Sequence, residues 1–439
     1  LLLATLLASA PLSAQGAGAI AFERYSLPNG LEVVLAPDRT TQVAAVNLWI
    51  FAGSREEPAG RAGLARLFER LMFNGSANVP AGGYAAVLTD AGGRITADVD
   101  EEAARFGESV PSNRLNLALW LEADRLRSLA INDSTVADAR LGLVEDLGQR
   151  VNNEPYAAAI IDAVATLYDS VTCLGYSHPT IGRVGSITSI STADARAFFQ
   201  ARYVPNNARL VVSGDFAPPD VKPLIAQYFS DIPRGSPVGS AACEPGFHSG
   251  ARTRRISGQP GSRLAVGRFY RIPPHNHADV PALELLGVLL SQGNGSRLAR
   301  ALAREAHAAV GTQGGILGDR RGPEAFGLFA IAAEGVSTDS LDALLQVQAA
   351  WAASDSVTDR DLTRAKNIYR ATLISRLERP VEIADQLQHA AAFHGALEDV
   401  TGELTRVMAV TLADLRRVAA AWLVGDNALT LVVAPEGAS

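Results

Sequence analysis

Two arginines and a glutamate share one short stretch of this chain, Arg66-Leu67-Phe68-Glu69-Arg70. On a helix, Arg66 and Arg70 stand one turn apart on the same face, with Glu69 beside them. Histidines at that spacing would hold a metal ion, and a neighbouring glutamate would be placed to act as a base on metal-bound water. Arginine offers no free lone pair and stays protonated at ordinary pH, so Arg66 and Arg70 can make ion pairs but cannot ligate. No histidine precedes His178, so none can stand in from the first 177 residues. Of the others, His275 and His277 precede an expected helix at Asp279–Leu290 and read as exposed loop residues. His389 and His394 lie five apart, a spacing that does not share a helix face and argues against a metal pair. The two cysteines, Cys173 and Cys243, exclude a disulfide-rich scaffold and a cysteine zinc cluster, and leave one disulfide or two free thiols. A net charge of −7 excludes a basic face for nucleic acid.

The elements that position these residues follow from periodicity. Apolar Leu64, Leu67, Phe68, Leu71 and Met72 form one stripe of a helix over Gly60–Phe73, ended by Asn74-Gly75. Before it, Pro28-Asn29-Gly30 reverses two β-rich runs, and residues 42–52 form a central strand. After it come a short helix at Tyr84–Thr89, strands at Arg94–Val99 and Ala103–Val110, and helices to Leu129 and over Val136–Val151. Residues 191–212 and 411–432 repeat without a gap at an offset of 220, pairing Asp194 with Asp414, Arg196 with Arg416 and Asn207-Ala208 with Asn427-Ala428. Each copy reads as a Ser/Thr-capped helix, a turn and a strand.

The expected fold is therefore α+β, with two homologous domains, each a mostly antiparallel sheet packed by helices on one side. Residues 17–234 form the first domain, the Gly/Ser/Pro-rich residues 235–262 a linker, and residues 263–439 the second domain. Residues 1–16, apolar and then small, read as the remnant of a secretory signal, which places the mature chain outside the cytoplasm, periplasmic or extracellular. No later apolar stretch is long enough to span a bilayer.

The run from Gly63 to Ser76 resembles the signature of the pitrilysin/insulinase metallopeptidases, H-x-x-E-H followed by M-x-F-x-G-[ST]. The resemblance extends through Asn78-Val79-Pro80, Gly92-Gly93, Pro111-Ser112-Asn113, Leu119–Arg125, Tyr203–Asn207, Gly293–Leu298 and Leu302–Glu305, which covers most of the chain. It implies half of a clam-shell: in short bacterial members and mitochondrial processing peptidases, two two-domain chains enclose a chamber. It places the family's zinc ligands at Arg66, Arg70 and Asp146, beside Glu145, and the general base at Glu69. It puts a substrate-holding arginine at Arg304, with Val310 where a tyrosine would stand, and Ile95-Thr96-Ala97 where an Asn-Asn-Ala segment would bind the substrate backbone.

These departures imply a pseudoenzyme, inactive alone and without the family's zinc cofactor. The reading favoured is a non-catalytic subunit that pairs with a histidine-bearing paralogue or a second copy around a peptide substrate. Two alternatives are a zinc metalloendopeptidase, and a structural assembly protein like the non-catalytic relatives in respiratory complexes. In the place of the metal, a single ion-paired cluster of Arg66, Arg70, Glu69 and Asp146 is expected, with Glu145 a possible member.

Overall fold

The computed structural model describes residues 20–435, apart from residues 155, 240–242, 244–248, 259–260 and 398–399. The signal-like residues 1–16 lie outside the described residues. The first half holds β1 (Glu23–Ser26), β2 (Glu32–Pro37), β3 (Val43–Ile50), β4 (Arg94–Val99), β5 (Ala104–Pro111) and β6 (Ala208–Gly214). Its helices are α1 (Leu64–Leu71), α2 (Gly83–Asp90), α3 (Leu115–Ser128), α4 (Asp133–Asn153), α5 (Ala157–Ala165), α6 (Val184–Ser189), α7 (Thr192–Arg202) and α8 (Pro218–Phe229). The second half holds β7 (Arg252–Ser257), β8 (Ala265–Ile272), β9 (Ala309–Ile316), β10 (Glu324–Ala332) and β11 (Ala428–Ala434). Its helices are α9 (Val280–Ser291), α10 (Thr338–Ala352), α11 (Asp359–Arg376), α12 (Pro380–His389), α13 (Val400–Ala409) and α14 (Leu412–Trp422).

Strand order is β1-β2-β6-β3-β5-β4 in one sheet and β7-β11-β8-β10-β9 in the other. Without β1 the two orders superimpose, and in both the one parallel pair (β2–β6, β7–β11) sits in the same place. The repeat is the visible trace of this duplication. Ser191 and Asp194 cap α7 reciprocally, as Thr411 and Asp414 cap α14. The Asn207 side-chain amide donates to the Arg202 and Phe51 carbonyls, and that of Asn427 to the Trp422 and Arg271 carbonyls. Strand β7 lies inside the stretch read as a linker, so the second sheet begins earlier than the composition of residues 235–262 suggests.

The α1 stripe is fully buried: Leu64, Leu67, Phe68 and Leu71 are 0% exposed and Met72 1%. Burying each such side chain is worth about 1.5–3 kcal/mol. They pack with the inner face of the first sheet and with α3, α4 and α7 residues in one core, and a second core joins α9, α10, α11 and α14 to the second sheet. Helices cover the other faces too, and these come from the opposite half. Ile383, Ala384 and Leu387 of α12 pack on Val34, Ala36 and Val211 of the first sheet. Ala159, Ala163 and Val164 of α5 pack on Ala265, Phe269, Leu429 and Leu431 of the second. Cys173 and Cys243 form a disulfide within that second cluster.

Buried charges reinforce this exchange. Arg320 pairs with Glu101 and Glu324, and Arg321 with Glu102 at 2.6 Å. Tyr176 donates to Glu102 as well. Among the described residues, no helix is long and apolar enough to cross a membrane.

Candidate functional site

Helix α1 starts at Gly63, whose φ of 96° is a left-handed conformation open to glycine. Its first turn is capped from the preceding loop: Glu57 accepts the Gly63 N–H at 3.1 Å and the Ala65 N–H at 2.7 Å. With the apolar stripe buried, α1 turns Arg66, Glu69 and Arg70 away from the core, and α4 runs alongside it.

Among the described residues, the expected four-residue cluster is instead two separate groups. The Arg66 guanidinium contacts Glu69 at 2.8 Å and Asp98 of β4 at 3.1 Å, and donates to the Val99 carbonyl at 3.1 Å. Arg70 donates to one Asp146 oxygen from Nε at 3.1 Å and from its terminal nitrogen at 2.6 Å. Gly142, one turn before Asp146, makes room for it, because a Cβ there would sit 2.3 Å from the Arg70 guanidinium. Glu145 is exposed beside the pair. Asp98 was not anticipated: it lies on an edge strand, 32 residues from Arg66, and nothing local marks it as a partner. Arg66 also lines a cleft of about 380 Å³ whose walls include Ile160, Val164, His178 and Leu317.

The chemistry of this arrangement is electrostatic. Arg66 and Arg70, where the resemblance puts two ligands, carry permanent cations; Glu69, where it puts the base, is engaged by the first, and Asp146, where it puts the carboxylate ligand, by the second. The donor set does not fit a zinc ion.

The rest of the signature supports the fold. Phe73 packs edge-on against Tyr84, with ring centres 5.2 Å apart. Ser76 and Asn78 both donate to the Asp124 carboxylate of α3, the latter at 2.6 Å. Arg125, 1% exposed, pairs with Glu108 at 3.1 Å and with Glu122, among the rings of Phe73, Tyr84 and Phe106. Burial and the neighbouring Glu122 push the Glu108 carboxyl well above its ordinary range, despite Arg125.

Arg304 is not part of the α1 group. It lies on a π-helical turn, Ala299–Glu305, is exposed, and donates to the Asn294 carbonyl. Val310 is 59% exposed. Ile95, Thr96 and Ala97 lie on β4, which among the described strands pairs only with β5.

Sequence reading missed a second group of titratable side chains. His275, His389 and His394 converge, with ring centres 5.1 Å, 5.1 Å and 6.0 Å apart. His275 is buried, against its reading as an exposed loop residue. Burial and the adjacent His389 push its imidazole down to about 4. Burial would raise the Glu403 carboxyl, but contacts from His394 and Tyr369 hold it down at about 2. A π-helical turn over Ala390–His394 brings His389 and His394 together. The only sequence signal was the His-x4-His spacing, which suits that turn and no α-helix.

Residues 32–170 match the family described as Insulinase (Peptidase family M16), and residues 189–369 the Peptidase M16 inactive domain. The zinc protease PqqE of Helicobacter pylori is 27% identical over 280 residues, 63% of this chain and 62% of that protein. The mitochondrial-processing peptidase subunit beta of Blastocladiella emersonii is 22% identical over 419 residues, 93% of this chain and 88% of that protein. The crystal structure of a protease from Helicobacter pylori superimposes with a TM-score of 0.88 at 23% identity, covering 95% of this chain and 100% of that one. That last likeness concerns the fold: two similarly built α+β halves, as in the clam-shell arrangement. The two matched stretches together make up most of the chain: this chain belongs to the M16 (pitrilysin/insulinase) peptidase family and carries a degenerate metal site.

Proposed function

We propose that this chain is a non-catalytic subunit that pairs with a histidine-bearing paralogue, or with a second copy of itself, to complete a peptide-binding chamber. The observation that carries this reading is that Arg66 and Arg70, which the resemblance places at zinc-ligand positions, are each ion-paired to a carboxylate. A chain that has lost the metal yet kept the buried signature residues retains a use for the fold. The exposed edge of β4 supports a peptide-binding role, since an extended peptide can add to a strand edge through main-chain hydrogen bonds. The exposed Arg304 guanidinium is suited to hold a carbonyl or carboxylate of the same peptide. Residues 17–234 and 263–439 serve as the two domains of this half-shell, with β7 of the intervening stretch completing the second sheet. Export to the periplasm or beyond is part of the proposal, supported by the Cys173–Cys243 disulfide, a bond that persists in oxidising compartments.

The test is purification of the tag-free chain from its native host, followed by reconstitution. The proposal expects a co-purifying chain with an intact H-x-x-E-H motif and faster cleavage of extended peptides by that chain when the two are mixed. Arg304→Ala should reduce this gain modestly. Chelator-sensitive cleavage by the isolated chain would favour a zinc endopeptidase. Stable assembly with non-peptidase proteins, and no effect on cleavage, would favour a structural role.

A further inference from the structure

We propose that His275, His389 and His394 form a binding site for one divalent transition-metal ion of the imidazole-preferring class, at the seam between the two halves and apart from α1. One nitrogen from each ring lies within 4.8 Å of the others. Among the described residues, this is the one group of three or more His, Cys, Asp or Glu side chains so placed. A tetrahedral zinc with Zn–N of about 2.0–2.1 Å sets its nitrogens ~3.4 Å apart, so each ring must move by less than ~1 Å.

His275 is the most buried of the three. It is 5% exposed, and neither of its ring nitrogens makes a hydrogen bond. A buried imidazole with both nitrogens unsatisfied is unusual in a folded protein, and a metal bond would satisfy one of them. The Asp319 carboxylate lies 3.9 Å from its Nδ1, and the other two rings have their centres 5.1 Å from its own.

The surroundings suit a cation. Asp319 stands 3.5 Å from Nε2 of His389, and Glu403 3.7 Å from Nε2 of His394. From there each carboxylate can take a ring N–H, fix the tautomer and leave the other nitrogen to the metal. Asp319, Glu403, His275 and His389 also line a cleft of about 570 Å³ together with Arg105 of the first half, so the site has an approach from solvent.

The backbone is built for the convergence. In a regular α-helix residues five apart point about 140° away from each other. The π-helical turn Ala390–His394 widens the turn and so reduces that offset, and Gly395 ends it with a φ of 82°. Phe393 in the same turn packs against Trp49 and Ala103 of the first half, so a bound ion would tie α12 in its exchanged position.

This inference is independent of whether the chain is catalytic. The experiment uses the tag-free chain, stripped with chelator and dialysed, then titrated with Zn²⁺ by calorimetry and with Co²⁺ by visible absorption. The expected result is one ion per chain, a rise in Tm on loading, and at least ~tenfold weaker binding in His389→Gln and in His394→Gln. His307→Asn, at an exposed histidine elsewhere, should leave affinity unchanged. Zinc X-ray absorption of the unmodified chain should show three imidazoles around the ion, which keeps the test decisive if a variant misfolds. Absence of saturable binding, binding unaltered in both variants, or fewer than three imidazoles would overturn the proposal.

Discussion

Replacing Asp146 with asparagine tests how the arginines are held where the metal would have been. The Arg70 and Asp146 side chains are 38% and 44% exposed, so water screens most of their attraction. Two unit charges about 4 Å apart are worth ~1 kcal/mol in water and ~4 kcal/mol at a protein surface before the cost of ordering both side chains. The net contribution of such a pair is therefore about 0.5–1 kcal/mol. Arg66 is 11% exposed and makes three contacts, with Glu69, Asp98 and the Val99 carbonyl. Arg66→Gln should cost more, about 1–2 kcal/mol. Because the two groups share no partner among the described residues, an Arg66/Asp146 double-mutant cycle should show coupling within about 0.3 kcal/mol of zero, while Arg70/Asp146 shows about 0.5–1 kcal/mol. Urea unfolding followed by tryptophan fluorescence reads these differences, since Trp49 and Trp120 lie in the first half. Arg66/Asp146 coupling above about 1 kcal/mol would refute two independent groups and restore a single cluster. A loss of about 3 kcal/mol or more in Asp146→Asn would show that the pair is far less solvated than its exposure indicates.

The buried group under the signature should behave oppositely. Arg125→Met leaves Glu108 and Glu122 side by side without their cation and should cost about 3–5 kcal/mol, measured by the same unfolding assay; a cost under about 1 kcal/mol would remove Arg125 from the account of the fold. Glu102 should govern part of the acid limit of stability. Burial alone would raise its carboxyl, but Arg321, Arg55 and Tyr176 hold it below its ordinary value of 4.5. Its contribution is thus fully present above the unfolded value and is lost as pH falls through the lower, folded one. Glu102→Gln should flatten the decline of stability below pH 4.5, and an unchanged acid limb would contradict this.

What the sequence made legible was whatever leaves a local pattern. The α1 stripe, the Pro28-Asn29-Gly30 reversal and the paired caps at Ser191 and Thr411 all depend on residues within one or two turns of each other. The loss of zinc chemistry was legible for the same reason, because no environment gives Arg66 or Arg70 a lone pair. Partners fixed by tertiary structure were not legible. Asp98 reaches Arg66 only because β4 pairs with β5 at the sheet edge. The crossing of α5 and α12 onto opposite sheets has no signature in either helix, each of which simply carries an apolar face. Strand β7 was hidden because an edge strand needs no apolar run, and Arg252–Ser257 alternates mostly exposed polar residues. The histidine group was hidden by assuming α-helical geometry where the chain makes a π turn.

The most direct measurement is hydrolysis of an extended, unstructured peptide by the tag-free chain alone, with added Zn²⁺ and then with chelator. Zinc bound at the histidine group stands apart from Glu69, so metal loading by itself should produce no turnover. The account predicts no cleavage under either condition, and no change with Glu69→Gln. Chelator-sensitive cleavage that Glu69→Gln abolishes would contradict it, because it would require a working metal centre at the position where Arg66 and Arg70 stand.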